Sequence, residues 1–486
     1  MRVDEYSACD ATALAALLSK REVSADEVYE AARVAIDAVD AQLHAMADGP
    51  WERPLEFAQH GPFGGVPFAI KDVGAHPRGV PVRFGTRLSG DGVTFETESF
   101  LLTRFRDAGF AAAGITTAPE FGYNFSTEAL AYGASTRNPW DLTRSVGGSS
   151  GGAAALVAAG GTPVAHAGDG GGSIRVPAAF NGLVGLKPSR GRTSDGPECQ
   201  ERLAGLGVEF GLVRTMRDCA ALLDAIAGAM PGDRVIIKEP ERPWSQELGV
   251  SPGRLRIAIN TETWSDTPVH PDVVAAVETV ANELEALGHH VERATPSFAW
   301  DRFVVAMTTI MSGYLVESVA STSEASGLQP GPDTLEHTIA ALYERGQKVT
   351  LLDMASAMEA VNDASRIIGQ FLTEWDLLVT PTANIAPPPL GYHDANDSSY
   401  DAEGWIRRLF AEGSFTPLFN WTGNPAISLP LGSTPDGLPV GVQFVAPMCE
   451  EARLIRVGSQ MEEAMPWSGR RPQVYAGVAP SDRAAV

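Results

Sequence analysis

Gly147-Gly-Ser-Ser-Gly-Gly152 and Gly168-Asp-Gly-Gly-Gly-Ser-Ile-Arg175 are two glycine-rich blocks, and the apolar run between them begins at Ala153. Each block places a serine among glycines, Ser149 in the first and Ser173 in the second. Glycine has no side chain, so the backbone can approach a ligand closely and adopt conformations that other residues avoid. The run from 153 to 159 has the pattern of a short apolar helix. The stretch therefore predicts two serine hydroxyls within reach of a small molecule.

The composition is that of an acidic globular protein. Its 486 residues are 44% apolar, enough for a sizeable core, and carry a formal net charge of −23. This charge argues against a nucleic-acid partner or an anionic membrane, because both bind basic surfaces. The sequence has no signal-peptide pattern and no 18-residue uncharged apolar span. The scattered cysteines predict reduced thiols and a cytoplasmic protein: Cys9, Cys199, Cys219 and Cys449.

Helical and strand patterns alternate along the chain. Helices are predicted over residues 10–47, 216–229, 271–287 and 300–375. Strands are predicted in the apolar run that ends at Lys71, and over 108–117, 182–188, 255–260 and 376–381, with a hairpin of 425–431 and 439–445. The proline-rich residues 231–253 are predicted as a linker. This mixture predicts an α/β fold with one sheet assembled from both ends of the chain.

A serine that attacks an amide needs a base, because a hydroxyl is a weak nucleophile at neutral pH. Of the nine histidines only His166 lies near the glycine-rich blocks, and a packed structural role is the ordinary alternative for it. Lys71 is the better candidate because it follows an apolar run, although a lysine at a strand end is often a surface residue. A free lysine titrates near ~10.4, so Lys71 can act as a base only in a dry site.

The glycine-rich blocks allow more than one interpretation. The amides of Gly170, Gly171 and Gly172 suit an oxyanion hole before Ser173, with a plain flexible loop as the alternative. Residues 148–152 also match G-x-S-x-G, which would make Ser150 the nucleophile of an α/β-hydrolase with a later Asp and His. That scheme leaves the Ser173 block unexplained. The sequence has no phosphate-binding or metal-binding motif.

Four segments resemble the amidase signature family closely: Gly65-Val-Pro-Phe-Ala-Ile-Lys-Asp72, Gly147-Gly-Ser-Ser-Gly-Gly152, Asp169-Gly-Gly-Gly-Ser-Ile-Arg175 and Gly185-Leu-Lys-Pro188. The resemblance implies an α/β fold with a mixed central β-sheet, covered by helices on both faces and preceded by a helical N-terminal arm. It implies a single amidase domain over residues 1–486. Its expected parts are the arm at 1–60, a catalytic core at 61–230, a substrate-pocket part at 231–420, and a C-terminal hairpin and helix at 421–486.

The same resemblance implies a Ser-cisSer-Lys triad. Ser173 would be the nucleophile, Ser149 the bridging serine after a cis peptide bond, and Lys71 the base. The oxyanion hole would be formed by backbone N–H groups, those of Gly170, Gly171, Gly172 and Ser173. Gly168 departs from the family, which commonly has Ser or Thr there, so the hydrogen bonding of the loop is expected to differ while the chemistry is retained.

Further residues receive supporting roles from the resemblance. Asp169 and Arg175 are expected to hold the loop without reacting. Tyr123 and Asn124 match positions that border the scissile group, with ordinary loop residues as the alternative. No cofactor or metal is implied, and a homodimer is a family-level expectation.

These observations predict a serine amidohydrolase that converts a small-molecule amide to a carboxylic acid and an amine or ammonia. Several segments resemble the branch of free-standing amidases that includes bacterial 6-aminohexanoate cyclic dimer hydrolase: 137–140, 144–148, 163–166 and 466–472. Aryl and aliphatic amides, lactams, hydrazides and carbamates all stay open as substrates. Two alternatives are a catalytically silent binding protein and a glutamine-dependent amidotransferase subunit. The subunit's Ser-Leu-Asp-Gln-Ile-Gly-Pro segment is absent after residue 200.

Overall fold

An eleven-stranded mixed sheet forms the centre of the protein in a computed structural model that describes residues 1–478. The strands are β1 Met46–Asp48, β2 Val66–Lys71, β3 Phe110–Thr116, β4 Arg137–Asn138, β5 Asp141–Ser145, β6 Val164–Asp169, β7 Val184–Lys187, β8 Val208–Val213, β9 Arg256–Ile259, β10 His290–Arg293, β11 Leu377–Pro381, β12 Ala426–Ser433 and β13 Pro439–Val445. Strands β4 and β5 form a separate ribbon. The other eleven confirm the predicted mixed α/β sheet.

Fourteen α-helices lie between residues 1 and 478. They are α1 Val3–Ala8, α2 Ala11–Ser19, α3 Ala25–Leu43, α4 Phe100–Ala108, α5 Gly151–Ala158, α6 Arg175–Asn181, α7 Met216–Ile226, α8 Pro271–Ala286, α9 Trp300–Ser326, α10 His337–Gly346, α11 Leu351–Glu374, α12 Ala402–Ala411, α13 Pro417–Thr422 and α14 Glu451–Ala464.

The order of the strands places segments from both halves of the chain side by side in one sheet. It is β1-β3-β2-β6-β8-β7-β12-β13-β11-β9-β10 across the sheet. Strands β2 and β6 are parallel neighbours, whereas β7 and β12 pair antiparallel at the centre. The C-terminal hairpin of β12 and β13 therefore lies beside the strands of the N-terminal half, as the sequence predicts.

Both faces of the sheet are covered, because successive side chains of a strand point to opposite faces. The buried apolar side chains form two clusters, one on each face of the sheet. In β9, Ile257 and Ile259 belong to the larger cluster and Ala258 belongs to the other. In β11, Leu377 belongs to the larger cluster and Leu378 to the other. Helices α3, α5, α7, α8 and α14 contribute to the first cluster, and α9 to α13 contribute to the second. The two glycine-rich blocks lie between these two layers of helices.

The N-terminal helices are held to the body by a carboxylate. Asp218 of α7 accepts hydrogen bonds from the backbone N–H groups of Ala11 (2.8 Å) and Thr12 (2.9 Å), which are free at the start of α2. A capping box of Ser24 and Glu27 starts α3. The helical prediction over 10–47 extends too far, since β1 occupies Met46–Asp48 and pairs with β3 at the edge of the sheet.

Two other segments are buried in the protein to a greater extent than their sequences suggest. The predicted linker, 231–253, has no long helix or strand, but Trp244 within it is buried and packs into the core. Helix α9 is long and apolar enough to cross a membrane by length and composition alone. However, 61% of its most apolar window is buried within the protein, which is typical of a core helix.

Candidate active site

A large cavity opens where β2 and β6 end. Because these strands are parallel neighbours, their carboxyl ends meet at the same edge of the sheet, where α/β folds usually bind ligands. The cavity has a volume of about 1560 Å³. The predicted triad residues Lys71, Ser149 and Ser173 all line it, and so do Tyr123 and Asn124. The sequence-predicted positions are thus brought together around one space.

Lys71 is the last residue of β2 and is almost fully buried, with 2% of its surface exposed. Its Nζ donates a hydrogen bond of 2.8 Å to Ser149 Oγ. Burial disfavours the charged ammonium and lowers the pKa of Lys71 to about 8, against an opposing effect of the Glu209 and Asp169 carboxylates. At mildly alkaline pH a substantial fraction of this amine is therefore neutral and able to accept a proton.

Ser149 lies just before the N-terminus of α5. The Gly148–Ser149 peptide bond is cis, as the family resemblance implies. Gly122 packs directly behind the hydroxyl, since a Cβ atom at that position would lie 3.3 Å from Ser149 Oγ. Lys71 and Gly122 therefore fix the position of this hydroxyl from two sides.

Ser150 has a different environment from its neighbour. It is fully buried, its hydroxyl donates to the carbonyl of Gly168 (3.2 Å), and its N–H donates to the carbonyl of Ser173 (3.3 Å). Ser150 does not line the cavity. This geometry does not suit the α/β-hydrolase alternative, in which Ser150 would be an exposed nucleophile.

The Asp169 carboxylate organises the loop that carries Ser173. Its oxygens accept hydrogen bonds from the N–H groups of Gly172 (2.7 Å) and Ile174 (3.1 Å) and from the guanidinium of Arg175 (2.8 Å). Burial alone would raise the pKa of Asp169, but the Arg175 charge and these hydrogen bonds hold it well below its usual range. Asp169 thus contacts the backbone of the loop directly, and Arg175 contacts the Asp169 carboxylate.

Arg175 ties this loop to the C-terminal half of the chain. Its guanidinium, which is fully buried, donates to the carbonyl of Thr416 (2.8 Å), to Gln443 Oε1 (2.8 Å) and to Asn420 Oδ1 (2.6 Å). Asn420 also donates to the Asp169 carboxylate at 2.9 Å. The sequence interpretation missed Asn420 and Gln443, because their contact with the loop depends on the pairing of distant strands.

The predicted oxyanion donors are not equivalent. The N–H of Gly172 is engaged by Asp169, whereas those of Gly170, Gly171 and Ser173 find no acceptor within residues 1–478. Gly172 has φ of 138°, and a Cβ atom there would lie 2.4 Å from Thr416 Oγ1. The glycine is therefore required by close packing, and the three remaining N–H groups are those available to a developing negative charge.

His166 is a structural partner of Lys71 in this fold. Its Nδ1 accepts the backbone N–H of Lys71 (3.3 Å), so its Nε2 carries the hydrogen and donates to Glu209 Oε2 (2.8 Å). Its side chain is fully buried and does not line the cavity. Both ring nitrogens are occupied, which matches a packed structural role and not that of a catalytic base.

Glu209 explains the unusual Gly168. A Cβ atom at Gly168 would lie 2.6 Å from Glu209 Oε2, so the carboxylate occupies the space that a Ser or Thr side chain would need. Burial would raise the pKa of Glu209, but the His166 hydrogen bond and nearby positive charges lower it, so it stays ionised. A buried carboxylate therefore lies close behind the loop, and no sequence motif indicates it.

Tyr123 and Asn124 line the cavity, but their polar groups face the protein. The Tyr123 hydroxyl donates to the carbonyl of Met311 (3.0 Å), and the Asn124 amide donates to the carbonyl of His393 (2.9 Å). Burial raises the pKa of the Tyr123 phenol. Within residues 1–478 no group of three His, Cys, Asp or Glu side chains is arranged to hold a metal ion.

Sequence comparison relates the chain to enzymes of known name. Residues 13–455 match the amidase family. The 6-aminohexanoate-cyclic-dimer hydrolase of Paenarthrobacter ureafaciens is 38% identical over 479 residues, which cover 96% of each chain. The enzyme of the same name from Pseudomonas sp. strain NK87 is 37% identical over 478 residues, again with 96% of each chain covered.

Structure comparison gives a consistent result. A solved structure of 6-aminohexanoate cyclic dimer hydrolase complexed with substrate has a TM-score of 0.89 and 34% identity, covering 96% of this chain and 99% of that one. A bacterial aryl acylamidase shares the fold at a TM-score of 0.84 and 22% identity, covering 96% of this chain and 99% of the other. With a family match over most of the sequence and relatives above 30% identity along nearly its whole length, the chain belongs to the amidase signature family.

Proposed function

We propose that this protein is a serine amidohydrolase that cleaves small non-peptide amides through a Ser-cisSer-Lys triad. The observation that carries the proposal is the 2.8 Å hydrogen bond from a buried Lys71, with a lowered pKa, to Ser149 in the cavity that also holds Ser173. A hydroxyl needs such a base to become a nucleophile. Relatives named as hydrolases of a cyclic amide dimer favour linear or cyclic amides as substrates.

The proposed reaction has two halves. Ser173 Oγ attacks the carbonyl carbon while its proton passes to Ser149 Oγ and the proton of Ser149 passes to Lys71 Nζ. The N–H groups of Gly170, Gly171 and Ser173 stabilise the oxyanion. The C–N bond then breaks, and the relay returns its proton to the leaving amine. Water hydrolyses the acyl-enzyme by the same route, giving a carboxylic acid and regenerating Ser173. No cofactor enters this scheme.

The test is hydrolysis of p-nitroanilides, linear and cyclic amides, hydrazides and carbamates by the wild type and by three variants: Lys71→Ala, Ser149→Ala and Ser173→Ala. We expect each variant to lose at least about a thousandfold in kcat/KM, because members of one catalytic unit fail together. Ser150→Ala is the matched control, since this neighbouring serine lies outside the cavity. Full activity in Ser173→Ala with loss in Ser150→Ala would overturn the assignment.

A covalent probe tests the nucleophile separately. An active-site-directed fluorophosphonate should label one serine, and fragment-ion mass spectrometry of the digest should place the label on Ser173 itself, since one tryptic peptide also contains Ser149 and Ser150. Lys71→Ala should slow the labelling, because the lysine no longer draws the proton from the relay. Label on another serine would contradict the proposal.

Three wider properties are part of the same proposal. We infer a cytoplasmic enzyme, in agreement with four free cysteines among the described residues. We expect it to act without a partner protein and to form a homodimer. Analytical ultracentrifugation of the active enzyme would test this, and a tightly bound second polypeptide needed for turnover would favour an amidotransferase subunit instead.

A further inference from the structure

Four methionines line one wall of the cavity. Met307 and Met311 are on α9, and Met354 and Met358 are on α11. Within each pair the residues are four positions apart, which places both side chains on the same face of their helix. These four residues, which we call the methionine trough, form an apolar surface between two packed helices.

The trough begins at the catalytic loop. A Cβ atom at Gly171 would lie 3.7 Å from Met307 Cε, so this methyl group lies beside a glycine of the oxyanion loop. The hydroxyl of Tyr123 binds the carbonyl of Met311, which fixes α9 against the cavity wall. The inner end of the trough is therefore close to the position of the scissile amide.

The trough continues to α11 and becomes more open. A Cβ atom at Gly313 of α9 would lie 3.0 Å from Met354 Cε, so this side chain bridges the two helices. Met307 and Met311 are 1% and 5% exposed, whereas Met354 and Met358 are only partly buried. The apolar surface therefore runs from a closed end at the loop to an open end at α11.

An exposed leucine continues the surface at the mouth. Leu351, the first residue of α11, is 86% exposed and lines the cavity. Its neighbour Leu352 is 79% exposed but does not line the cavity. The capping box of Thr350 and Asp353 holds this end of the helix in place. The two leucines therefore differ mainly in whether they face the cavity.

We propose that the methionine trough holds an unbranched aliphatic chain attached to the scissile amide and extending toward Leu351. This inference rests on the proposed amidohydrolase function and specifies its substrate class. Methionine side chains are unbranched and flexible, so they adapt to a chain of methylene groups better than to one rigid shape. Charged residues also line the cavity, among them Glu201, Arg202 and Glu317, but the four positions of the trough carry no charge.

Two substrate series test the trough. One is p-nitroanilides of straight-chain acids from acetyl to dodecanoyl, and the other is acetamides of straight-chain amines of the same lengths. In one series we expect kcat/KM to rise by up to about fourfold for each added methylene until the chain reaches the mouth. The series that shows the rise identifies the side of the amide that occupies the trough.

Paired variants locate the effect. Leu351→Asp and Met358→Gln should lower the ratio of kcat/KM for the dodecanoyl or dodecyl substrate over its acetyl counterpart by about tenfold. Leu352→Asp should leave this ratio unchanged, because Leu352 does not face the cavity. An equal fall in the ratio for both leucine variants would contradict the trough as the cause.

The outcomes separate this inference from the function on which it rests. Flat chain-length profiles in both series, with short amides still hydrolysed, would overturn the trough and leave the amidohydrolase intact. If no amide is hydrolysed, calorimetry tests the trough instead. It compares the affinities of the Ser173→Ala protein for dodecanamide and for acetamide. Equal binding of the two would then overturn the trough, while tighter binding of dodecanamide that Leu351→Asp abolishes would support it.

Discussion

At the scale of single residues, the proposed mechanism depends on one buried amine. Lys71 is buried at the end of β2, and burial lowers its pKa to about 8. Glu209 acts in the opposite direction, since a buried negative charge favours the ammonium form. The balance of these two effects sets the pH at which the proposed base becomes available.

The first prediction concerns this balance. The wild-type kcat/KM should rise with pH and level off above about pH 8, because the neutral amine is the form that the proposed mechanism requires. Glu209→Gln should move the rising limb to lower pH, since it removes a charge that raises the pKa of Lys71 while keeping an acceptor for His166. The measurement is a pH profile of kcat/KM on a neutral amide.

Glu201→Gln is the control for this prediction, because it removes a carboxylate from the same cavity without changing the partner of His166. Its limb should coincide with that of the wild type. A Glu209→Gln limb that moves to higher pH would show that the carboxylate acts on Lys71 in the opposite sense.

The proposed catalytic residues were predictable from the sequence, and most of the residues that contact them were not. Lys71, Ser149 and Ser173 each lie in a local motif whose glycines or apolar neighbours mark the position. Asn420 lies 251 residues from Asp169, its hydrogen-bond partner, so only the folded sheet brings them together. Glu209 is likewise invisible in sequence, because a carboxylate in an apolar strand has no motif that reveals His166 or Gly168 as its neighbours.

At the scale of elements, two buried carboxyl groups join the cavity wall to the helical layer. Glu120 begins the short turn that leads to Phe121 and Tyr123, and Glu336 precedes α10. Glu120 accepts hydrogen bonds from the backbone N–H of Glu336 (2.7 Å) and from the hydroxyl of Thr86. Burial and the neighbouring Glu336 raise the pKa of Glu120 to about 8.

The second prediction follows from this raised pKa. The folded state binds the Glu120 proton more tightly than the unfolded chain does, so the carboxyl stabilises the fold at low pH and this contribution is lost as the pH rises through about 8. Glu120→Gln should therefore have a higher Tm than the wild type at pH 9 and a similar Tm at pH 5. Thermal unfolding across this range measures the difference.

Glu317→Gln provides the comparison, since Glu317 is an exposed carboxylate of α9. Its Tm difference from the wild type should not change with pH. If Glu120→Gln instead loses Tm most strongly at pH 9, the ionised pair is stabilising and the predicted direction is wrong.

The helical layer shows where sequence patterns stop being informative. Residues 300–375 are predicted as helices, and α9, α10 and α11 occupy most of this range. The spacing of Met307 with Met311, and of Met354 with Met358, defines a face of each helix. It does not tell which faces meet, because helix packing is set by side chains from different parts of the chain.

At the scale of the whole molecule, the two halves share one sheet and both contribute to the contacts that hold the Ser173 loop. Strands β7 and β12 pair at the centre, with Ile427 opposite Leu186. Arg175 adds contacts to Thr416 and Gln443. These links cross from the N-terminal half to the C-terminal half, so the halves are held by more than the peptide bonds between them.

The third prediction uses the exposed connection between the halves. Arg234 and Lys238 are exposed within the predicted linker, so brief trypsin treatment should cut there before it cuts the sheet. The two fragments should elute together in gel filtration and separate only in denaturant, and the nicked enzyme should keep its activity. Fragments that separate under native conditions would show that the shared sheet does not hold the halves together.

The hydrogen bonds of Arg175 also have a consequence for how the enzyme is made. During translation, the segment with Ser173 emerges from the ribosome long before Thr416, Asn420 and Gln443 have been synthesised. The N-terminal parts of a chain generally begin to fold first. The Ser173 loop of a growing chain therefore lacks the partners that fix Arg175. A nascent polypeptide would stay inactive until translation is nearly complete, and a prematurely terminated one would carry the serines without a working catalytic loop.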